Sequence, residues 1–458
     1  MLEANKLKID KHSETPIYMQ IYNNIVDEII NGYLIPEERL PSRRKLCEEL
    51  GIAQRTVENA YQKLVADEYV VSRPKSGYFV SNNRVWDEEQ QIIKSRIYNF
   101  STNGVETSKL PFEVWAKLLR NTVREDRGLF QHGEKAGEWC LRKSIRRMLF
   151  RTQGIKCRTE QIIIGPGAED LLRDLLILLA YNSKVLLNNY YYYRVYNVIK
   201  NIHMNIEYIT NGPNGIYIDE LKKQNRGILF QSPTHDLPTC VTLSEERRRE
   251  IVDWLGDGRY VIENSDDNSY QYGKNAKTLW QLAGGKNVIY LGSFSKTIAP
   301  SMKIGYIIAP DEIVQLWFKE KRFYSNRVSR VEQVTLSKFI DLGHYERHVN
   351  YMRDIYREKT AAFKKAVNNS KMGKNCVITG DDAGMYCLMK CNIALEEEQA
   401  NKILSEHGIK LSPLNGSIHD KSRATFPQNT YIVGYGDMTI SQIREGVKLW
   451  SELWEKYL

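Results

Sequence analysis

The chain has 458 residues, 42% of them apolar, which is enough for roughly two to four domains with sizeable cores and excludes a disordered or collagen-like protein. Its net charge of +9 suggests a polyanionic partner. Residues 1–80, however, carry 11 Lys and Arg against 12 Asp and Glu, so a nucleic-acid contact there has to rest on local clustering.

In 16-PIYMQIYNNIVDEIING-32 the apolar residues recur at i, i+1, i+4 and i+5, one face of an amphipathic helix entered by Pro16 and stopped by Gly32. Ser42 is placed to cap a short helix over 43–50 that Gly51 ends. A further helix is expected at about 54–67, and 69-YVVSRPKSGYFV-80 reads as a β hairpin turning at Pro74–Gly77. This order is that of a winged helix-turn-helix, in which a narrow helix enters the major groove and flanking basic groups hold phosphates. Arg43, Arg44, Lys45, Gln54, Arg55, Arg73 and Lys75 occupy the corresponding positions. Spacing alone also permits a solvated helical hairpin.

Residues 16–80 resemble, without a gap, the DNA-binding domain of the GntR family of bacterial transcription regulators. The strings "LPSRRKL", "RTVENAYQKL" and "SGYFV" carry the likeness. It implies double-stranded operator DNA as partner and adds Thr56 and Gly77 to the DNA-binding set, with Arg44 at the family's basic position. Where relatives usually have Ser-Arg, this chain has Ala53-Gln54, so base preference is expected to shift.

A polar segment at 81–97 reads as a linker. Beyond it, short apolar runs alternate with helical patterns: 161-QIIIG-165 before 168-AEDLLRDLLILLA-180, 184-KVLLN-188 before 192-YYRVYNVIKNI-202, then 227-GILFQS-232, 259-RYVIEN-264 and 288-VIYLGS-293. Such alternation predicts a mostly parallel sheet covered on both faces, with a ligand beyond the carboxyl ends of its strands. Lys296, in 293-SFSK-296, is therefore aimed at a cleft. A lysine in a partly apolar cleft can form a Schiff base with an aldehyde. A phosphate beside it would need a glycine turn opening a helix, hydroxyls and a cation; Gly167-Ala168-Glu169, Ser293, Ser295 and Lys303 supply them. The plainer reading is a surface lysine after a strand end.

Residues 98–458 resemble a fold-type I, pyridoxal-phosphate-dependent aminotransferase domain, and 293-SFSKTIAPSMKIGY-306 follows its S-x-S-K-x-x-x-P-x-x-R-x-G pattern. Segments 232-SPTHDLPTCVTLSEERR-248, 260-YVIENSDDNSYQY-272 and 343-GHYERHVNYMRDIYRE-358 are similar to its regulator branch, so the chain resembles the MocR/GabR regulators. The resemblance implies an α/β body with a mostly parallel central sheet, a smaller C-terminal α+β subdomain, a homodimer, and a pyridoxal phosphate site formed by Lys296, Tyr192, His235, Ser293, Ser295, Lys303, Ala168 and Glu169. It implies Arg194 as a grip for an effector carboxylate. Arg423 is a second candidate anchor.

Relatives place an aspartate under the pyridine nitrogen and a tyrosine two residues later; here those positions hold Asn264 and Asp266. A neutral amide cannot keep the ring nitrogen cationic, and the protonated ring is the electron sink. Lys303 replaces an arginine and loses its bidentate fork, while Ala168 replaces a hydroxyl residue. The expectation is a regulator that binds the cofactor, senses a small amine or amino acid, and does not turn it over. A pocket that has abandoned the cofactor, and an aminotransferase with residual activity, stay open as alternatives. No apolar run reaches membrane-spanning length, no signal-peptide pattern occurs, and the seven cysteines are scattered without a C-x-x-C pair. These features disfavour a membrane, a metal or a disulfide framework and predict a cytoplasmic protein.

Overall fold

The computed structural model describes the chain except for residues 1–8, 11–14, 31–33, 35–36, 68, 75, 82–96, 103, 181–182, 266–267 and 272–275. Lys75, Asp266 and all but the end residues of the expected linker lie outside the described residues. Two compact units make up the chain, Met1–Ile97 and Tyr98–Leu458.

In the first unit, α1 (Ile17–Ile30) packs Ile21, Ile25 and Ile29 against Val57, Ala60, Tyr61 and Leu64 of α3 (Gln54–Ala66). Each such burial is worth roughly 1.5–3 kcal/mol, which holds the small unit together. Between them lies α2 (Arg43–Leu50), where the Ser42 hydroxyl accepts from the Lys45 amide at 3.2 Å and Gly51 ends the helix at φ +62°. Strands β1 (Val70–Arg73) and β2 (Gly77–Val80) form the antiparallel wing, with Val70 opposite Val80 and Arg73 opposite Gly77.

In the second unit a short strand, Tyr98–Asn99, pairs with Ile409–Lys410; α4 (Phe112–Glu125) and α5 (Trp139–Gln153) follow it, and then strands and helices alternate. In order come β3 (Ile162–Gly165), α6 (Ala168–Leu179), β4 (Val185–Asn188), α7 (Tyr193–Asn201), β5 (Ile206–Ile209), β6 (Gly227–Gln231), α8 (Glu245–Trp254), β7 (Arg259–Asn264), β8 (Val288–Ser293) and β9 (Gly305–Ile308). They form a seven-stranded sheet ordered β3-β9-β8-β7-β6-β4-β5. All neighbours are parallel except β9, which runs against both β8 and β3. The loop from β8 to β9 is too short for the dozen or more residues of a parallel crossover, so the chain turns back. Successive strand residues feed opposite cores: Ile163, Leu187, Ile262 and Ile289 on one face, Ile162, Leu186, Val261 and Val288 on the other. Both faces are covered, which is why these strands are continuously apolar.

The remainder is α9 (Asp311–Glu320), α10 (Arg330–Asp341), the long α11 (His344–Asn368), β10 (Cys376–Thr379), β11 (Tyr386–Cys391), α12 (Glu397–Glu406), β12 (Ser412–Pro413), β13 (Thr430–Gly434) and α13 (Ile440–Trp454). Strands β10-β11-β13-β12 form a second, antiparallel sheet with its own core around Phe363, Met389, Tyr431, Trp450 and Trp454.

Candidate functional site

In the first unit the polar faces of α2 and α3 separate into two kinds of residue. Gln54 and Arg55, at the start of α3, are exposed, Thr56 is half-buried behind them, and neither Gln54 nor Arg55 binds another described side chain. Arg44 and Lys45 are exposed and, among the described residues, pair only with Glu48 (2.9 Å) and Glu49 (3.7 Å) one turn along. Such surface pairs are worth little and can be exchanged for phosphate. Arg73 reaches Glu37 at 2.6 Å and lies over the Phe79 ring, and Gly77 supplies φ +110° at the wing turn. Arg43 is different: it is half-buried, engaged by Glu58, and set over the Tyr78 ring at 5.8 Å, so it ties α2 to α3 and the wing. Ala53 provides no side-chain cap for α3, which leaves first-turn amides of this helix without a side-chain partner.

In the second unit the carboxyl ends of the parallel strands surround a cavity of about 280 Å³. The start of α6 contributes Ala168 and Glu169, β7 contributes Asn264, and the start of α7 contributes Tyr192 and Arg194. Strand β8 and the loop after it contribute Ser293, Ser295, Lys296 and Lys303. Nine of the residues expected at a cofactor or effector site thus face one space.

Lys296 owes its position to Phe294, which is fully buried against Tyr306 and Tyr345 and pins the loop between its two serines. The Tyr270 hydroxyl donates to the Lys296 carbonyl at 3.2 Å, and Ser295 donates to the Met302 carbonyl at 3.0 Å, closing the loop. Lys296 Nζ stands 5.3 Å from the centre of the Tyr386 ring. Opposite lies the amino end of α6, opened by Gly167 at φ +101°. A Cβ on Gly305 would stand 2.8 Å from the Gly167 carbonyl carbon and 3.1 Å from the Ala168 nitrogen, so only glycine lets β9 lie this close to the turn. Lys303 is exposed at this end, with no hydrogen bond or ion pair to another described residue. Backbone amides at a helix start, the Ser293 hydroxyl and an uncommitted cation are donors an anion requires, while the Ser295 proton is spent on the loop. The carboxylate of Glu169 at the same rim is covered by Arg194 at 2.9 Å.

The far end of the cavity is amide and hydroxyl. Asn264 Nδ2 donates to Ser232 Oγ at 3.1 Å. The adjacent acid, Glu263, points to the other face of the sheet, where it is buried and accepts from the Leu279 and Trp280 amides at 3.0 and 2.9 Å. Burial pushes its carboxyl up to about 7 against those hydrogen bonds and the charge of Arg248. Behind Ser232, Asp236 is enclosed and accepts from Asn188 (2.8 Å), Thr239 (3.1 Å) and Asn211 (3.3 Å). Burial again dominates and raises it to about 7.

Two expected residues stand outside this cavity. His235 is buried one layer back, stacked on Tyr386 at 4.5 Å with Nε2 2.9 Å from the Gly380 carbonyl oxygen. Arg423 lies in a separate groove, paired with Glu220 at 2.5 Å and donating to Thr210 Oγ1 at 2.6 Å, so it does not converge with Arg194. Conversely Met385 and Tyr386, at the start of β11, reach the Lys296 side from the C-terminal sheet. In sequence their only signal is the turn 380-GDDAG-384 entering a strand.

A winged helix-turn-helix joined to a sheet with this cavity defines a class: a DNA-binding head on an aminotransferase-type body. Residues 17–80 match the family described as bacterial regulatory proteins, gntR family, and residues 95–425 match aminotransferase class I and II. The HTH-type transcriptional regulator YhdI of Bacillus subtilis is 30% identical over 97% of both chains. The probable rhizopine catabolism regulatory protein MocR of Rhizobium meliloti is 25% identical, over 96% of this chain and 94% of its own. Among solved structures, kynurenine aminotransferase of Pyrococcus horikoshii superposes with TM-score 0.68 at 21% identity, over 81% of this chain and 94% of that one, a likeness of fold. The chain belongs to the MocR-type transcription regulators, in which a GntR-type head is fused to a class I and II aminotransferase domain. Among the described residues no helix is long and apolar enough to cross a membrane.

Proposed function

We propose that this regulator works in the cytoplasm, that its head binds double-stranded operator DNA through Arg44, Lys45, Gln54 and Arg55, and that its body binds pyridoxal phosphate through Lys296 and senses a small amine or amino acid. The supporting observation is the meeting, in one cavity, of Lys296 with an anion cradle on one side and Asn264 on the other. When bound, the cofactor supplies an aldehyde that amines attack and a pyridine ring that draws electrons.

The residues fit the aldehyde and the phosphate. The α6 amides, Ser293 and Lys303 would hold the phosphate, Ser295 would keep the loop closed beside them, Lys296 Nζ would offer the covalent attachment, and Tyr192 would cover the ring. At the nitrogen, Asn264 can hydrogen-bond but stays neutral at every pH, so it cannot hold a proton on the ring against loss. Binding without productive turnover is therefore the reading. An incoming carboxylate would take Arg194 from Glu169, and that exchange gives the effector a way to favour one conformation over another. Two copies of the chain are proposed to associate, as the likeness to MocR-type regulators implies.

A second reading, a pocket that takes its ligand without the cofactor, draws on the Asn264–Ser232 hydrogen bond and the missing arginine fork. Adding pyridoxal phosphate to the purified chain separates the two. The first reading expects a yellow absorbance band that Lys296→Ala loses; a solution that stays colourless supports the second.

A further inference from the structure

The hairpin that carries Met385 and Tyr386 to the cavity is closed at its base by two thiols. Cys376 of β10 lies directly opposite Cys391 of β11, and their Sγ atoms are 3.1 Å apart. The neighbouring rung is the hydrogen-bonded one, with the Asn392 amide 2.7 Å from the Asn375 carbonyl oxygen. Cys376 and Cys391 therefore occupy a non-hydrogen-bonded rung, where Cα atoms approach to about 4.5 Å, within the roughly 4.4–6.8 Å a disulfide spans. Between them the chain passes Gly380, whose carbonyl accepts from His235, then Met385 in the cavity wall and Tyr386 beside Lys296.

We propose that Cys376 and Cys391 form a redox site: a hydroperoxide closes them into a disulfide, making 376–391 a covalent ring and stiffening the cavity wall next to Lys296. Cys391 is buried and Cys376 half-exposed, so Cys376 meets the oxidant first. The hydrogen bond with Cys376, and then burial, hold the Cys391 thiol well above its ordinary value, so Cys391 is the slower of the two thiols to meet an oxidant. Cys376 sulfur attacks one peroxide oxygen, the O–O bond breaks, and water or an alcohol leaves with the Cys376 proton. Cys391 sulfur then attacks the sulfenic acid at Cys376; the S–S bond forms, the S–O bond breaks, and water leaves with the Cys391 proton. Two thiols give up two electrons and the peroxide takes them. A dithiol reductant reverses the change.

The test needs no cofactor. Full-length protein treated with hydrogen peroxide is unfolded for thiol counting, mapped as peptides, and followed by amide exchange while folded. The expected result is loss of two of its seven thiols, a linked 376–391 peptide restored by dithiothreitol, and slower exchange across Gly380–Tyr386. Cys376→Ser and Cys391→Ser should each abolish the bridge. Seven intact thiols, a bridge between other cysteines, over-oxidation of Cys376 without a bridge, or a bridge that leaves exchange at Gly380–Tyr386 unchanged would overturn the proposal.

Discussion

The two ends of the cavity are built differently. At the helix end, the partners for an anion are largely backbone: the amides at the start of α6, set by Gly167 and by the close approach of Gly305. At the strand end, function rests on single side chains at the tips of β6 and β7, where Asn264 and Ser232 face each other. A backbone cradle survives changes of side chain, so Ala168 and Lys303 can depart from the common pattern and leave an anion site. A side-chain contact does not, and replacing one carboxylate by an amide changes what that end can do. The contrast teaches that a side-chain change at the strand end leaves the backbone cradle at the helix end intact.

Breaking the helix end should have the largest effect. Gly305→Val forces β9 away from the Gly167 turn, costs about 1–3 kcal/mol by overpacking, and should abolish pyridoxal phosphate binding, as read by thermal melting and absorbance. Lys303→Ala should weaken cofactor affinity about tenfold, or roughly 1.4 kcal/mol, and Lys303→Arg should tighten it, both read by titration. The strand end is sharpened by Asn264→Asp, which should raise the rate at which an amino acid is converted to its keto acid above that of the parent chain; product analysis by mass spectrometry checks it.

A smaller effect concerns pH. Asp236 and Glu263 have folded values of about 7, above the ordinary carboxylate range of roughly 3.9–4.3. The folded state therefore binds more protons than the unfolded one between those limits. Their contribution to stability is fully present below the ordinary values and is lost as pH rises through about 7. The 98–458 unit should melt a few degrees lower at pH 8 than at pH 6, and Asp236→Asn should flatten that slope in calorimetry. Smallest is a change in the head, where Ala53→Ser gives α3 the side-chain cap it lacks and should add about 1 kcal/mol to that unit's stability in urea titration.

Much of this arrangement was legible in the sequence, because its signals are local. The period of α1, the Ser42 and Gly51 caps of α2 and the apolar runs of the sheet each lie within one element, and strand ends must converge once the sheet is parallel. What could not be read depends on register between distant segments. Arg43 looks like any basic helix residue until Glu58 and Tyr78 fold beside it. Arg423 looks like a free anchor until Glu220 claims it. Glu263 and Asn264 are neighbours in sequence, yet the alternation of a strand sends one to each face. Tyr386 meets Lys296, and Cys376 meets Cys391, only through the fold of the C-terminal sheet.

The central claim is that Lys296 remains a covalent attachment point inside a cavity that no longer supports turnover. Borohydride reduction of the protein incubated with pyridoxal phosphate, followed by peptide mapping, tests it most directly. One pyridoxyl adduct on the peptide containing Lys296, none in Lys296→Ala, and a supplied amino acid recovered unchanged are the predicted results. An adduct spread over surface lysines, or no adduct at all, would contradict it.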